Sequence, residues 1–182
     1  RFDRASAHLV IPAKHLVIPA SAGSLDGASQ PVWQADHMTS TTDIAARLHP
    51  ELQALRRELH ADPELGNDNP RTQARILAAL DGLDLEITTG ESVTSVVAVL
   101  RGRAETAGER PIVLLRGDMD GLPVTEATGQ PFASTTGTVH ACGHDLHVAG
   151  LVGAVRILHE LRDELPGDVV FMYVPGEGRG QR

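Results

Sequence analysis

The chain has 182 residues, and 16 Lys+Arg against 24 Asp+Glu give it a formal net charge of −8, an acidic balance that argues against nucleic acid or an anionic membrane surface as partner. Hydrophobic residues make up 41%, enough to exclude compositional disorder, and no apolar run approaches the roughly 20 residues of a membrane-spanning helix. The single cysteine, Cys142, excludes an intrachain disulfide and suits a reducing, cytoplasmic location.

Residues 1–40 read as an unstructured tail outside the native fold. The segment begins with Arg1 and contains a direct duplication, His8-Leu9-Val10-Ile11-Pro12-Ala13-Lys14 followed by His15-Leu16-Val17-Ile18-Pro19-Ala20-Ser21. Two Pro-containing copies of so short a unit build neither a coiled coil nor a solenoid. Ala20-Ser21-Ala22 resembles a secretory cleavage site, but Pro12, Lys14 and Pro19 split the apolar stretch that a signal peptide needs. Met38 is the expected native start, and residues 41–182 the folded part.

Ile44, Leu48, Leu52, Leu55 and Leu59 recur at spacings of four, four, three and four, one face of an amphipathic helix that Thr42 or Asp43 caps and Pro63 follows. Pro70 suits the first turn of a second helix holding Ile76, Leu77 and Leu80, stopped by Asp81-Gly82. Leu83, Leu85 and Ile87 alternate with polar residues as in a half-buried strand. Residues 96–100 and 112–115 are short aliphatic runs expected to be buried on both faces. A long helix over 146–161 turns Leu151, Ala154, Leu158 and Leu161 inward, and 169–174 is one more apolar strand. This order predicts an α/β fold with a mixed, mostly parallel sheet flanked by helices.

Three segments concentrate chemistry. In Leu114-Leu115-Arg116-Gly117-Asp118-Met119-Asp120-Gly121-Leu122-Pro123, two carboxylates leave the C-terminal end of a strand two residues apart. That edge of an open α/β sheet is where ligands bind, and alternation in an extended chain aims both side chains to one side. Alone, the segment reads more readily as a solvated acidic turn. In His140-Ala141-Cys142-Gly143-His144-Asp145-Leu146-His147, three of the nine histidines and the only cysteine fall within eight residues. A thiolate and an imidazole two residues apart share a side only in a loop or extended piece, and such a pair suits zinc, manganese, cobalt or nickel. The alternative is a buried free thiol beside surface histidines. Asp145 is placed to cap the helix that follows. Finally, Tyr173-Val174-Pro175-Gly176-Glu177-Gly178 puts a carboxylate just past a strand.

Arg56-Arg57-Glu58-Leu59-His60 with Pro63-Glu64-Leu65-Gly66, the run 116–123 and above all His-Ala-Cys-Gly-His-Asp at 140–145 resemble the metal-dependent amidohydrolases of the aminoacylase and carboxypeptidase superfamily. The nearest branch holds hippurate hydrolases, N-acyl amino acid deacylases and auxin-conjugate hydrolases. The resemblance runs from about Leu48 to Glu177. It implies a zinc-peptidase-like catalytic domain incomplete at its C-terminus, two divalent metals per site, and a separate lid or dimerisation domain that this chain lacks. By position it makes Cys142 and His144 metal ligands, Asp118 a catalytic residue with Asp120 as its neighbour, and Glu177 the general base. Asp120, His147 and Asp145 are supporting residues. The family's next glutamate, a metal ligand, is replaced here by Gly178. The implied substrate is a small N-acyl amino acid, hydrolysed at its amide bond. A non-catalytic, metal-binding remnant is the rival expectation.

Overall fold

The structure is a computed structural model that describes residues 33–176, with side chains from Thr41 onward; Glu177 and Gly178 lie outside the described residues. Helix α1 spans Trp33–Ala61. It begins well before the expected cap at Thr42 or Asp43, inside the segment read as tail, while residues 1–32 lie outside the described residues. The helix also runs through Pro50. That proline is exposed, as is Ala46 one turn earlier, so water can take the carbonyl that Pro50 cannot satisfy. Leu48 and Leu59 of the expected stripe are buried, and Leu52 and Leu55 pack against the core from its margin.

Helix α2 covers Pro70–Leu80, bounded as expected, with Pro70 in the first turn. Its N-terminus is capped from outside. The buried Glu64 carboxylate accepts the Thr72 N–H at 2.8 Å, the Thr72 hydroxyl at 3.0 Å and the Arg71 N–H at 3.3 Å.

Strands β1 (Glu86–Thr89), β2 (Val96–Leu100), β3 (Ile112–Asp118) and β4 (Asp168–Val174) form a sheet of order β1-β2-β4-β3. Only β3 and β4 pair in parallel; β1 with β2 and β2 with β4 are antiparallel. The sheet is mixed, as expected, but not mostly parallel. β1 starts later than the Leu83–Leu85 alternation suggested and is exposed along its length. It is an edge strand, and Leu83 and Leu85 reach the core from the turn before it.

The run at 112–115 is not buried on both faces. Ile112, Val113 and Leu114 are 65%, 52% and 53% exposed, because β3 is the other edge of the described sheet; Leu115 packs against the core from its margin, and only the last residues, Gly117 and Asp118, are buried.

Helix α3 spans His144–Glu160. Its buried face is Val148, Leu151, Val152 and Val155, whereas Ala154, Leu158 and Leu161 are only partly covered. The expected stripe is thus rotated, since the helix packs on both the sheet and α1. The core lies where Leu59 of α1, Ile76 and Leu80 of α2 and this α3 face meet Val96, Ala98 and Leu100 of β2 and Val169, Phe171 and Tyr173 of β4. The alternate residues of β2 and β4 are half-buried. Among the described residues, no helix is long and apolar enough to cross a membrane.

Candidate metal centre

Two elements converge at the C-terminal end of β3. Gly117 lets them come close: a Cβ there would stand 3.3 Å from the His147 carbonyl oxygen and 3.4 Å from Leu151 Cδ2. The next residue, Asp118, is 4% exposed and thereby set against the start of α3. That start is made by Gly143, whose φ of 79° is in the left-handed region that glycine enters without a steric cost. It turns the chain from the 140–143 loop into α3, so His144 and His147 share the first turn and their rings stack at 5.3 Å.

The outcome is a group of three. One ligand atom each from Asp118, His144 and His147 lies within 4.8 Å of the others. His144 Nδ1 donates to the Asp120 carbonyl at 2.8 Å, with Asp120 Oδ1 3.2 Å away. That bond puts the proton on Nδ1 and the lone pair on Nε2, the usual preparation of a ligating imidazole. Asp118 pairs with Arg116, whose Nη1 donates to Oδ2 at 3.3 Å and whose Nη2 lies against Oδ1.

The donor chemistry fits a divalent metal. Among the described residues, Oδ1 of Asp118 and Oδ1 of Asp120 are buried and make no hydrogen bond, only close contacts with Arg116 and His144. A carboxylate with two imidazoles is a nitrogen and oxygen set suited to zinc or manganese. Beside it, His140 is 5% exposed and, among the described residues, neither ring nitrogen has a partner in hydrogen-bond geometry. Burial pushes its imidazole below the ordinary value of 6.5, which keeps it neutral.

Of the residues singled out from sequence, Asp118, His144 and His147 come together and Asp120 supports them through His144. Cys142 is exposed and outside the group of three. Asp145 does not cap α3, which has Gly143 at its N-cap and no side-chain cap bond. Its carboxylate is fully buried and turned to α1, where Oδ2 meets His60 Nδ1 at 2.8 Å and Arg56 Nε at 2.7 Å. Glu177 lies outside the described residues. Sequence reasoning missed the buried His140 and the partnership of Arg56 and His60 with Asp145. The first was signalled by its place in the histidine cluster. The second joins residues 85 apart, a separation that periodicity does not reveal.

Comparison with known proteins gives one consistent picture. The profile of Peptidase family M20/M25/M40 matches residues 114–182. N-acetylcysteine deacetylase of Bacillus subtilis is 39% identical over 71% of this chain and 33% of its own length. An IAA-amino acid hydrolase of Arabidopsis thaliana is 39% identical over 68% of this chain and 27% of its own. Among solved structures, a dinuclear metal binding peptidase from the M20 family of Bacillus subtilis superposes with a TM-score of 0.65 at 38% identity, over 71% of this chain and 36% of the other. The chain therefore spans about a third of the length of the relatives it matches.

Proposed function

Because the chain belongs to the M20/M25/M40 peptidase family, we propose that it forms the metal-binding part of an amidohydrolase acting on small N-acyl amino acids. The observation that carries this reading is the meeting of Asp118, His144 and His147 at the covered C-terminal end of β3. Two similar proteins, a deacetylase of N-acetylcysteine and a hydrolase of IAA-amino acids, are named for substrates with an amide between an acyl group and an amino acid. That shared bond suggests the substrate class.

In this reading Asp118 and His144 hold the metal, zinc or manganese, and the thiolate of the exposed Cys142 joins them from the adjacent loop. When bound, the metal supplies Lewis acidity toward the amide carbonyl and toward water. Asp118 is the catalytic carboxylate of this edge. Asp120 fixes the ring orientation of His144 through Nδ1, and His147 supports from one turn further on. Glu177 takes a proton from the attacking water and returns it to the leaving nitrogen, as a general base and then acid.

A second reading rests on Gly178, which stands where the family's metal-ligating glutamate is expected. With that carboxylate absent, the chain holds metal weakly and turns over poorly or not at all. One assay separates the two. N-acetyl and N-benzoyl amino acids are incubated with the protein, with and without added manganese or zinc. Metal-dependent amino acid release, lost in Glu177→Gln, is the outcome expected of a hydrolase. Metal binding without release supports the remnant, and no metal binding contradicts both.

A further inference from the structure

We propose that Arg56 and His60 of α1 are positioning residues that set the metal-binding turn of α3 by gripping the carboxylate of Asp145, between His144 and Leu146. The inference rests on the metal reading above and adds to it where the rigidity of that turn comes from.

The first turn of α3 needs an external anchor. Gly143 at its N-cap has no side chain to hold the helix start, and helix ends tend to fray. Yet both histidines of the ligand group lie in this turn, so their separation is only as well defined as the turn itself. Two contacts fix it from opposite sides. His144 Nδ1 is tied to the Asp120 carbonyl at 2.8 Å, beyond the end of β3. Asp145, the next residue, is tied to α1 through His60 at 2.8 Å and Arg56 at 2.7 Å.

Asp145 is 0% exposed, and both of its oxygens are occupied without a metal: Oδ2 by His60 and Arg56, Oδ1 by the Leu146 N–H at 2.9 Å. It is thus a support and not a ligand. His60 is in turn fixed at its far side. Nε2 stands 3.1 Å from Glu126 Oε1, and the ring meets Phe132 edge-on at 5.4 Å. The Arg56 guanidinium lies 5.0 Å from the centre of the same Phe132 ring, which limits its freedom to swing away. Removing one partner of a buried ion pair leaves the other charge uncompensated, so loss of the α1 contacts is expected to release the turn.

The two nitrogens of His60 allow a test that a merely structural role would not pass. An asparagine amide nitrogen overlays Nδ1 and keeps the bond to Asp145; a glutamine amide nitrogen overlays Nε2 and keeps only the bond to Glu126. Zinc and manganese affinities of the whole chain are measured by calorimetric titration, with amide hydrogen exchange at Leu146 and His147 measured in metal-free protein. His60→Asn is expected to stay within about threefold of the parent. His60→Gln and Asp145→Asn are expected to lose about tenfold or more, the range seen when supports of metal ligands are removed, and to exchange faster at both amides. Equal affinity and exchange in His60→Asn and His60→Gln, whether both unchanged or both impaired, would overturn the inference. A parent that binds no metal would instead defeat the metal reading, and the exchange comparison alone would then decide whether α1 holds the turn.

Discussion

Asp118 Oδ2 lies 3.8 Å from His147 Nδ1, joining the last residue of β3 to the first turn of α3 across the groove lined also by Arg116 and Leu151. The same carboxylate is paired with Arg116, which is 45% exposed. A cation arriving at Asp118 therefore competes with a guanidinium already there. Exposed ion pairs are worth about 0.2–1 kcal/mol, so Arg116→Ala is expected to tighten zinc or manganese binding by up to about fivefold. Weaker binding in that variant would show that Arg116 orients Asp118 and does not compete for it.

Cys142 supplies a chemical probe. It is exposed among the described residues, so iodoacetamide should label it readily in metal-free protein. Bound zinc is expected to slow that labelling, and a chelator to restore it. Labelling at the same rate in both states would remove Cys142 from the ligand set.

The grip on α3 extends to Glu126, whose side chain is 1% exposed. The Thr128 hydroxyl, His60 and the Ser134 N–H all donate to its carboxylate and hold its pKa down at about 2, against an ordinary 4.5. A folded-state pKa below the unfolded one means that stability is fully present above about pH 4.5 and drains away as pH falls toward 2. Glu126→Gln should lower the thermal midpoint at pH 7 and flatten its fall between pH 4.5 and 2. An unchanged acid limb would mean that this carboxylate is not held by its partners in solution.

Tyr173 is a test of the core. It is fully buried on β4 and, among the described residues, its hydroxyl has no hydrogen-bond partner, and burial pushes its pKa well up, so it stays neutral. Buried, unsatisfied polar groups cost about 1–3 kcal/mol. Tyr173→Phe is therefore expected to leave stability unchanged or raise it by about 1 kcal/mol in urea unfolding. A loss of that size would reveal a partner for the hydroxyl.

Much of the fold was legible because local patterns dominate where elements are short and well punctuated. Pro70 and Asp81-Gly82 delimit α2, and the β-branched run at 96–100 delimits β2. The failures have one physical origin, since burial is decided by what packs from elsewhere. Ile112, Val113 and Leu114 look like an interior strand, but they occupy an edge of the described sheet. α3 is rotated relative to the expected stripe because its face serves two surfaces, and α1 starts earlier than expected because residues 33–40, read as part of the tail, continue its helix. At the site, the 140–147 cluster announced itself by composition. The role of Asp145 did not, because an aspartate at a helix start reads as a cap until His60 and Arg56 are found beside it.

The claim at the centre of this account is that Asp118 and His144 together hold a divalent metal. Calorimetric titration of zinc and manganese into the parent chain, Asp118→Asn and His144→Ala measures it directly. The account predicts saturable binding to the parent and affinities lower by about tenfold or more in each variant, at least the loss that follows removal of a supporting group. Binding of equal strength in all three proteins would contradict it.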